Sequence, residues 1–190
     1  IPPPPNAPPR APFGARVPWA RDPFAGATEG GIVVVVGTRP EAIKVAPVVA
    51  RLLHLGQPVT LVNTNQQRVM AVDALERLGL AAVHLDPIPI SRFAEGPASV
   101  TAHILSSCDA MIRRLRPSIV VVQGDTTTAM VGAIAAFYNG VRVAHVEAGL
   151  RTGDFANPFP EEFHRTVIAT VPTTLHFAPT PRARAALLGE

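Results

Sequence analysis

Five consecutive β-branched residues, Ile32-Val33-Val34-Val35-Val36, run straight into Gly37. A second run, Ile119-Val120-Val121-Val122, runs into Gln123-Gly124-Asp125. A third, Val141-Arg142-Val143-Ala144, leads to His145-Val146-Glu147. A strand that is apolar on both faces has to be covered on both faces, which is the condition inside a parallel sheet flanked by helices. Such sheets build their ligand sites at the carboxyl ends of the strands. Here two of the three runs end on a carboxylate.

The rest of the chain supplies the helices that such a sheet needs. The pattern predicts strand 32–36, a turn at 37–40, and helix to about Leu55, with Pro47 restarting that helix because proline suits a first helical position. Strand 59–63, helix 67–78 and a short strand 83–85 follow, and then a Pro-rich loop over 87–97. Helix 98–115, strand 119–123, helix 127–138 and strand 141–146 come next, and beyond a long loop lie helix 161–171, strand 175–178 and helix 182–188. Strand and helix alternate six times, which implies a Rossmann-like, doubly wound parallel α/β sheet with right-handed crossovers.

Residues 1–30 read differently. Nine of the first 23 residues are proline, with Arg10, Arg16 and Arg21 between them. This composition predicts an extended or disordered leader. Residues 31–190 form the predicted domain.

Composition narrows the function classes. Aromatic residues make up 5% and the formal charge is +3, with no dense basic run, so a nucleic-acid surface is not expected. Sixteen of the 17 basic residues are arginine, which leaves Lys44 as the single lysine. Cys108 is the only cysteine. It cannot form an intrachain disulfide, and its place in a helix predicts a buried thiol. There is no apolar run of transmembrane length and no signal-peptide core, so the expectation is a cytoplasmic protein without membrane contact.

The candidate chemistry gathers at the strand ends. Gly37-Thr38-Arg39-Pro40-Glu41 follows the first strand and opens a helix, where backbone N–H groups favour phosphate. Arg39 and Lys44 add positive charge; the plainer reading is a tight turn with a solvated arginine. Asp125 reads either as an acid at a site or as the N-cap of the next helix. Glu147 is followed by Gly149 and Arg151 rather than by a helix pattern, so it reads as a site acid or an ion-pair partner. Glu161 reads as a third site acid or as a first-turn acid that complements the helix dipole. Carboxylates beside arginines suit proton chemistry on an anionic ligand. His145 and His164 flank the acids without a zinc-like spacing, so no metal is expected.

Four blocks carry a resemblance: Gly37-Thr38-Arg39-Pro40-Glu41-Ala42-Ile43-Lys44, Gly124-Asp125-Thr126-Thr127-Thr128, His145-Val146-Glu147-Ala148-Gly149-Leu150-Arg151-Thr152-Gly153, and Pro160-Glu161-Glu162 with Arg165. From about Ile32 onward the chain resembles the N-terminal half of UDP-N-acetylglucosamine 2-epimerases, most closely the non-hydrolysing bacterial type. The resemblance implies a glycosyltransferase-B type fold of two Rossmann-like domains, with the nucleotide sugar between them. It implies interconversion of UDP-N-acetylglucosamine and UDP-N-acetylmannosamine through elimination and re-addition of UDP, without a cofactor. It makes Asp125, Glu147 and Glu161 the catalytic carboxylates, and Gly37, Arg39, Lys44, Gln66, Arg151 and Arg165 the substrate-binding positions. It also implies a homodimer for the full-length protein, and a C-terminal nucleotide-binding domain that this chain does not contain. The alternatives are a hydrolysing relative that releases N-acetylmannosamine and UDP, and a non-catalytic nucleotide-sugar-binding domain. The sequence departs from the family pattern at Gln67, Gln123 and His164, where the family usually has His, His and Asn.

Overall fold

The computed structural model describes residues 30–64, 66, 68–80, 83–84, 96–172 and 174–190. The expected leader, most of the expected Pro-rich loop and the Gln67 departure lie outside these residues. The described elements run β1 (Gly30–Val36), α1 (Arg39–His54), β2 (Val59–Asn63), α2 (Arg68–Arg77), β3 (Val83–His84), α3 (Pro97–Leu115) and β4 (Pro117–Gln123), and then α4 (Thr127–Tyr138), β5 (Arg142–Val146), α5 (Glu161–Thr170), β6 (Thr174–Phe177) and α6 (Pro181–Leu188). All six strands are parallel, in the order β3-β2-β1-β4-β5-β6. This is the doubly wound α/β sheet that the alternation predicts. Boundaries move by one or two residues, as frayed ends do.

The alternating valines explain why helices cover both faces. Val33 and Val35 of β1 join Val120 and Val122 of β4 under α3 and α4, where Ile104, Cys108, Ile112, Ala129 and Ala133 complete the core. Val34 and Val36 point the other way, with Val121 and Ala144, against Ala42, Val45 and Val49 of α1 and Leu75 of α2. Because neighbouring residues serve opposite cores, the run has no polar face. Helix α4 is buried almost all round and is accordingly apolar on every side. Cys108 is fully buried, and burial pushes its thiol up to about 12, so it is a packing residue.

One expectation is corrected. Pro47 does not restart a helix, because α1 runs through it without interruption. Pro47 lies on the exposed face, where water can satisfy the carbonyl that loses its N–H partner. The helix-starting proline is Pro40, in the first turn after the Thr38 N-cap.

Candidate functional site: a carboxylate cleft at the strand ends

Strand order reverses direction of growth between β1 and β4, and a crevice opens there at the carboxyl ends. A cleft of about 770 Å³ occupies this place. Its walls are the turn and first helical turns after β1 (Thr38, Arg39, Glu41, Lys44), the segment after β4 (Gln123, Gly124, Asp125, Thr126), and Glu147 after β5.

Gly37 ends β1 where no side chain fits. A Cβ there would lie 2.2 Å from Thr128 Oγ1 and 2.4 Å from Thr64 Oγ1. Glu41 then folds back on the turn. Its Oε2 accepts the N–H groups of Gly37 and Thr38, at 3.1 and 2.7 Å, and its Oε1 accepts the Thr126 hydroxyl at 2.7 Å. The expected phosphate cradle is therefore altered, because two of its N–H groups already hold a carboxylate. Burial raises the Glu41 carboxyl above its usual range, against the pull of these hydrogen bonds. Thr38-Arg39-Pro40-Glu41 is a capping-box spacing, and that signal could have revealed this buried acid in the sequence.

Asp125 is not the N-cap of α4. Thr126 is, and its hydroxyl accepts the N–H of Ala129 at 3.0 Å. This leaves the Asp125 side chain for Arg165, whose Nε and Nη2 both donate to Oδ2 at 2.7 Å. His164 donates Nδ1–H to the Asp125 carbonyl at 2.7 Å. Glu147 follows β5 with φ 66°, a left-handed backbone rare outside glycine, and such strain is found where a side chain must be aimed. Its Oε2 accepts from Lys44 Nζ at 2.6 Å and from the buried Gln123 amide.

The other expected residues lie around this cleft rather than in its walls. Gln66 Oε1 accepts the N–H and hydroxyl of Thr128, at 3.1 and 2.7 Å, and so braces the start of α4 behind Gly37. Arg151 makes a two-pronged contact with Glu190, at 2.6 and 2.9 Å. Glu161 is half-buried in the first turn of α5 and has no ion-pair partner among the described residues. Its neighbour Glu162 is 2% exposed and was not anticipated. Burial alone would push the Glu162 carboxyl up, but the N–H groups of Gly153 and Thr152 and the Arg165 guanidinium hold it below the usual range.

His145 lies beneath the site, 1% exposed, and donates Nε2–H to the Gly124 carbonyl at 2.7 Å. Burial lowers its pKa to about 4, so the ring is neutral at physiological pH. Among the described residues, no group of three or more His, Cys, Asp and Glu side chains could hold a metal ion. No helix among them is long and apolar enough to cross a membrane.

Residues 54–190 match the family described as UDP-N-acetylglucosamine 2-epimerase. The chain is 40% identical over 162 residues to the UDP-N-acetylglucosamine 2-epimerase of Bacillus subtilis, covering 84% of this chain and 41% of the relative. It is 38% identical over 162 residues to the enzyme of the same name from Escherichia coli K12, covering 84% and 42%. The structure of UDP-GlcNAc 2-epimerase from Neisseria meningitidis bound to UDP-GlcNAc superposes with a TM-score of 0.76 at 36% identity, covering 83% of this chain and 43% of that one. The chain thus spans about two fifths of the length of these relatives, and its fold is the N-terminal half of their glycosyltransferase-B type architecture. The matched stretch takes in the segments that carry Asp125 and Glu147, and the chain belongs to the UDP-N-acetylglucosamine 2-epimerase family.

Proposed function

We propose that residues 31–190 are the N-terminal domain of an enzyme that interconverts UDP-N-acetylglucosamine and UDP-N-acetylmannosamine. A C-terminal nucleotide-binding domain would complete the cleft. The observation that supports this reading most is the pairing of Asp125 and Glu147 in one cleft at the topological switch point, with Arg39 and Lys44 on the opposite wall. Inversion at C2 requires removing a proton from one face and returning one to the other, so two acid–base groups approach the same carbon. Loss of UDP leaves negative charge on the diphosphate, and cations facing the carboxylates would stabilise it.

Within this reading, Asp125 and Glu147 serve C2. Arg39 pairs with no carboxylate among the described residues and is the first choice for the diphosphate. Glu161 is the third carboxylate in the role that the family resemblance assigns it. The test is to incubate the full-length protein with UDP-N-acetylglucosamine and separate the products by chromatography. The reading predicts UDP-N-acetylmannosamine at a fixed equilibrium ratio from either sugar. Free N-acetylmannosamine with UDP would select the hydrolysing reaction instead, and no product from a folded protein that binds the substrate would refute catalysis.

A further inference from the structure

We propose that Glu162 and Arg165 are positioning residues for Asp125, and that Arg165 commits its guanidinium to that carboxylate rather than to the substrate diphosphate. This rests on the function proposed above and adds how Asp125, one of the two carboxylates assigned there to C2, is held.

Arg165 is 12% exposed along its side chain, and three of its donor contacts are already made. Nε and Nη2 converge on Asp125 Oδ2, each at 2.7 Å, while Nη1 donates to Glu162 Oε2 at 2.9 Å. A guanidinium is planar and its donors are fixed in a fork, so contacts on two edges set its orientation. Glu162 in turn cannot follow a moving arginine. Its other oxygen accepts the N–H groups of Thr152 and Gly153, at 2.8 and 2.9 Å. These residues lie in the loop that leaves Glu147. The chain of contacts therefore runs from the Glu147 loop through Glu162 and Arg165 to Asp125, and it ties the segments after β4 and β5 to the first turns of α5.

The geometry argues against a diphosphate role for Arg165. Asp125 walls the cleft, whereas Arg165 borders a separate, smaller cavity beside Arg151 and Arg182. Turning the guanidinium into the cleft would break the one ion pair that Glu162, a carboxylate 2% exposed, makes among the described residues. Breaking a buried ion pair by withdrawing one partner is strongly disfavoured. His164 strengthens the case, because its bond to the Asp125 carbonyl makes α5 grip the residue by backbone as well as side chain.

The test uses full-length protein and C2 proton exchange of UDP-N-acetylglucosamine, with Glu162→Gln and Arg165→Lys made singly and on Asp125→Asn. Glu162→Gln is expected to lower kcat by roughly tenfold with KM within about twofold, and to cause no further loss once Asp125 is Asn. An additive loss would mean a general structural role and overturn the proposal. A tenfold rise in KM for Arg165→Lys with kcat intact would make Arg165 a diphosphate ligand and overturn it equally. If Glu162→Gln does not fold, Arg165→Lys carries the same cycle. A readout independent of turnover is the nitrogen-15 resonance of Arg165 Nε–H. Slow proton exchange at that site, lost in Asp125→Asn, supports the pairing; retention in Asp125→Asn refutes it. This second readout holds even if the wild-type protein proves to catalyse a different reaction.

Discussion

Lys44 Nζ lies 2.6 Å from Glu147 Oε2, a contact that joins residues 103 apart in sequence. Lys44 stands in the second turn of α1, and Glu147 stands just beyond β5. The pair therefore spans the cleft. The single lysine of the chain sits on Glu147, one of the carboxylates that wall the cleft. Gln123 donates to the same oxygen, so Oε2 is held from two directions.

The Lys44–Glu147 pair should matter more to chemistry than to folding. Lys44 is half exposed, and such pairs contribute less than about 1 kcal/mol to stability. Lys44→Met should leave the urea unfolding free energy within that margin. It should lower turnover by roughly a hundredfold to a thousandfold, the scale of losing one charge-stabilising group. Glu147→Gln combined with Lys44→Met should be less harmful than the sum of the two, because each removes the other's partner. Additive effects in steady-state kinetics would separate the two residues.

Gly37→Ala should damage the fold at its ligand-binding edge. The new methyl would meet Thr128 Oγ1 and Thr64 Oγ1, and these hydroxyls are themselves joined at 2.8 Å. Rotating either one away breaks that bond, and rotating Thr128 also breaks its contact with Gln66. Overpacking of this kind costs about 1–3 kcal/mol. Urea denaturation should show a loss in this range, with weakened nucleotide-sugar binding in the fraction that folds.

His145 should make the domain sensitive to mild acid. Its pKa falls from 6.5 to about 4 on folding, chiefly through burial. The unfolded chain therefore binds the proton first as pH drops. Stability from the neutral ring is complete above about pH 6.5 and is lost progressively down to about pH 4. That fall corresponds to about 3 kcal/mol. His176, also lowered by burial, acts in the same direction. Replacing His145 by Gln keeps a donor for the Gly124 carbonyl and removes the titration. Melting curves from pH 7.5 to 4.5 should then slope less for the variant, and equal slopes would contradict the assignment.

The sequence carried the sheet and the place of the cleft, because both rest on local signals. A run such as Ile32–Val36 can only be a doubly covered strand, and an acid at the end of such a run reaches the edge where ligands bind. Pairings across the chain were not legible. Nothing near Lys44 announces Glu147, and nothing near Arg151 announces Glu190. Rotation about a helix axis was also hidden. Glu161 and Glu162 are adjacent letters about 100° apart on α5, and the fold buries the second against Arg165 while leaving the first half-covered. Asp125 and Thr126 divided one task in the same way: either could cap α4, and the hydroxyl took the cap while the carboxylate took the arginine.

The most direct measurement is proton NMR of UDP-N-acetylglucosamine in D2O with the full-length protein. The C2 proton signal should disappear as UDP-N-acetylmannosamine grows in with deuterium at C2. Asp125→Asn and Glu147→Gln, both folded, should each slow that loss severely while leaving a measurable residual rate. A wild-type protein that binds the nucleotide sugar and leaves the C2 proton in place would contradict the proposed chemistry. So would variants at both carboxylates that exchange it at the wild-type rate.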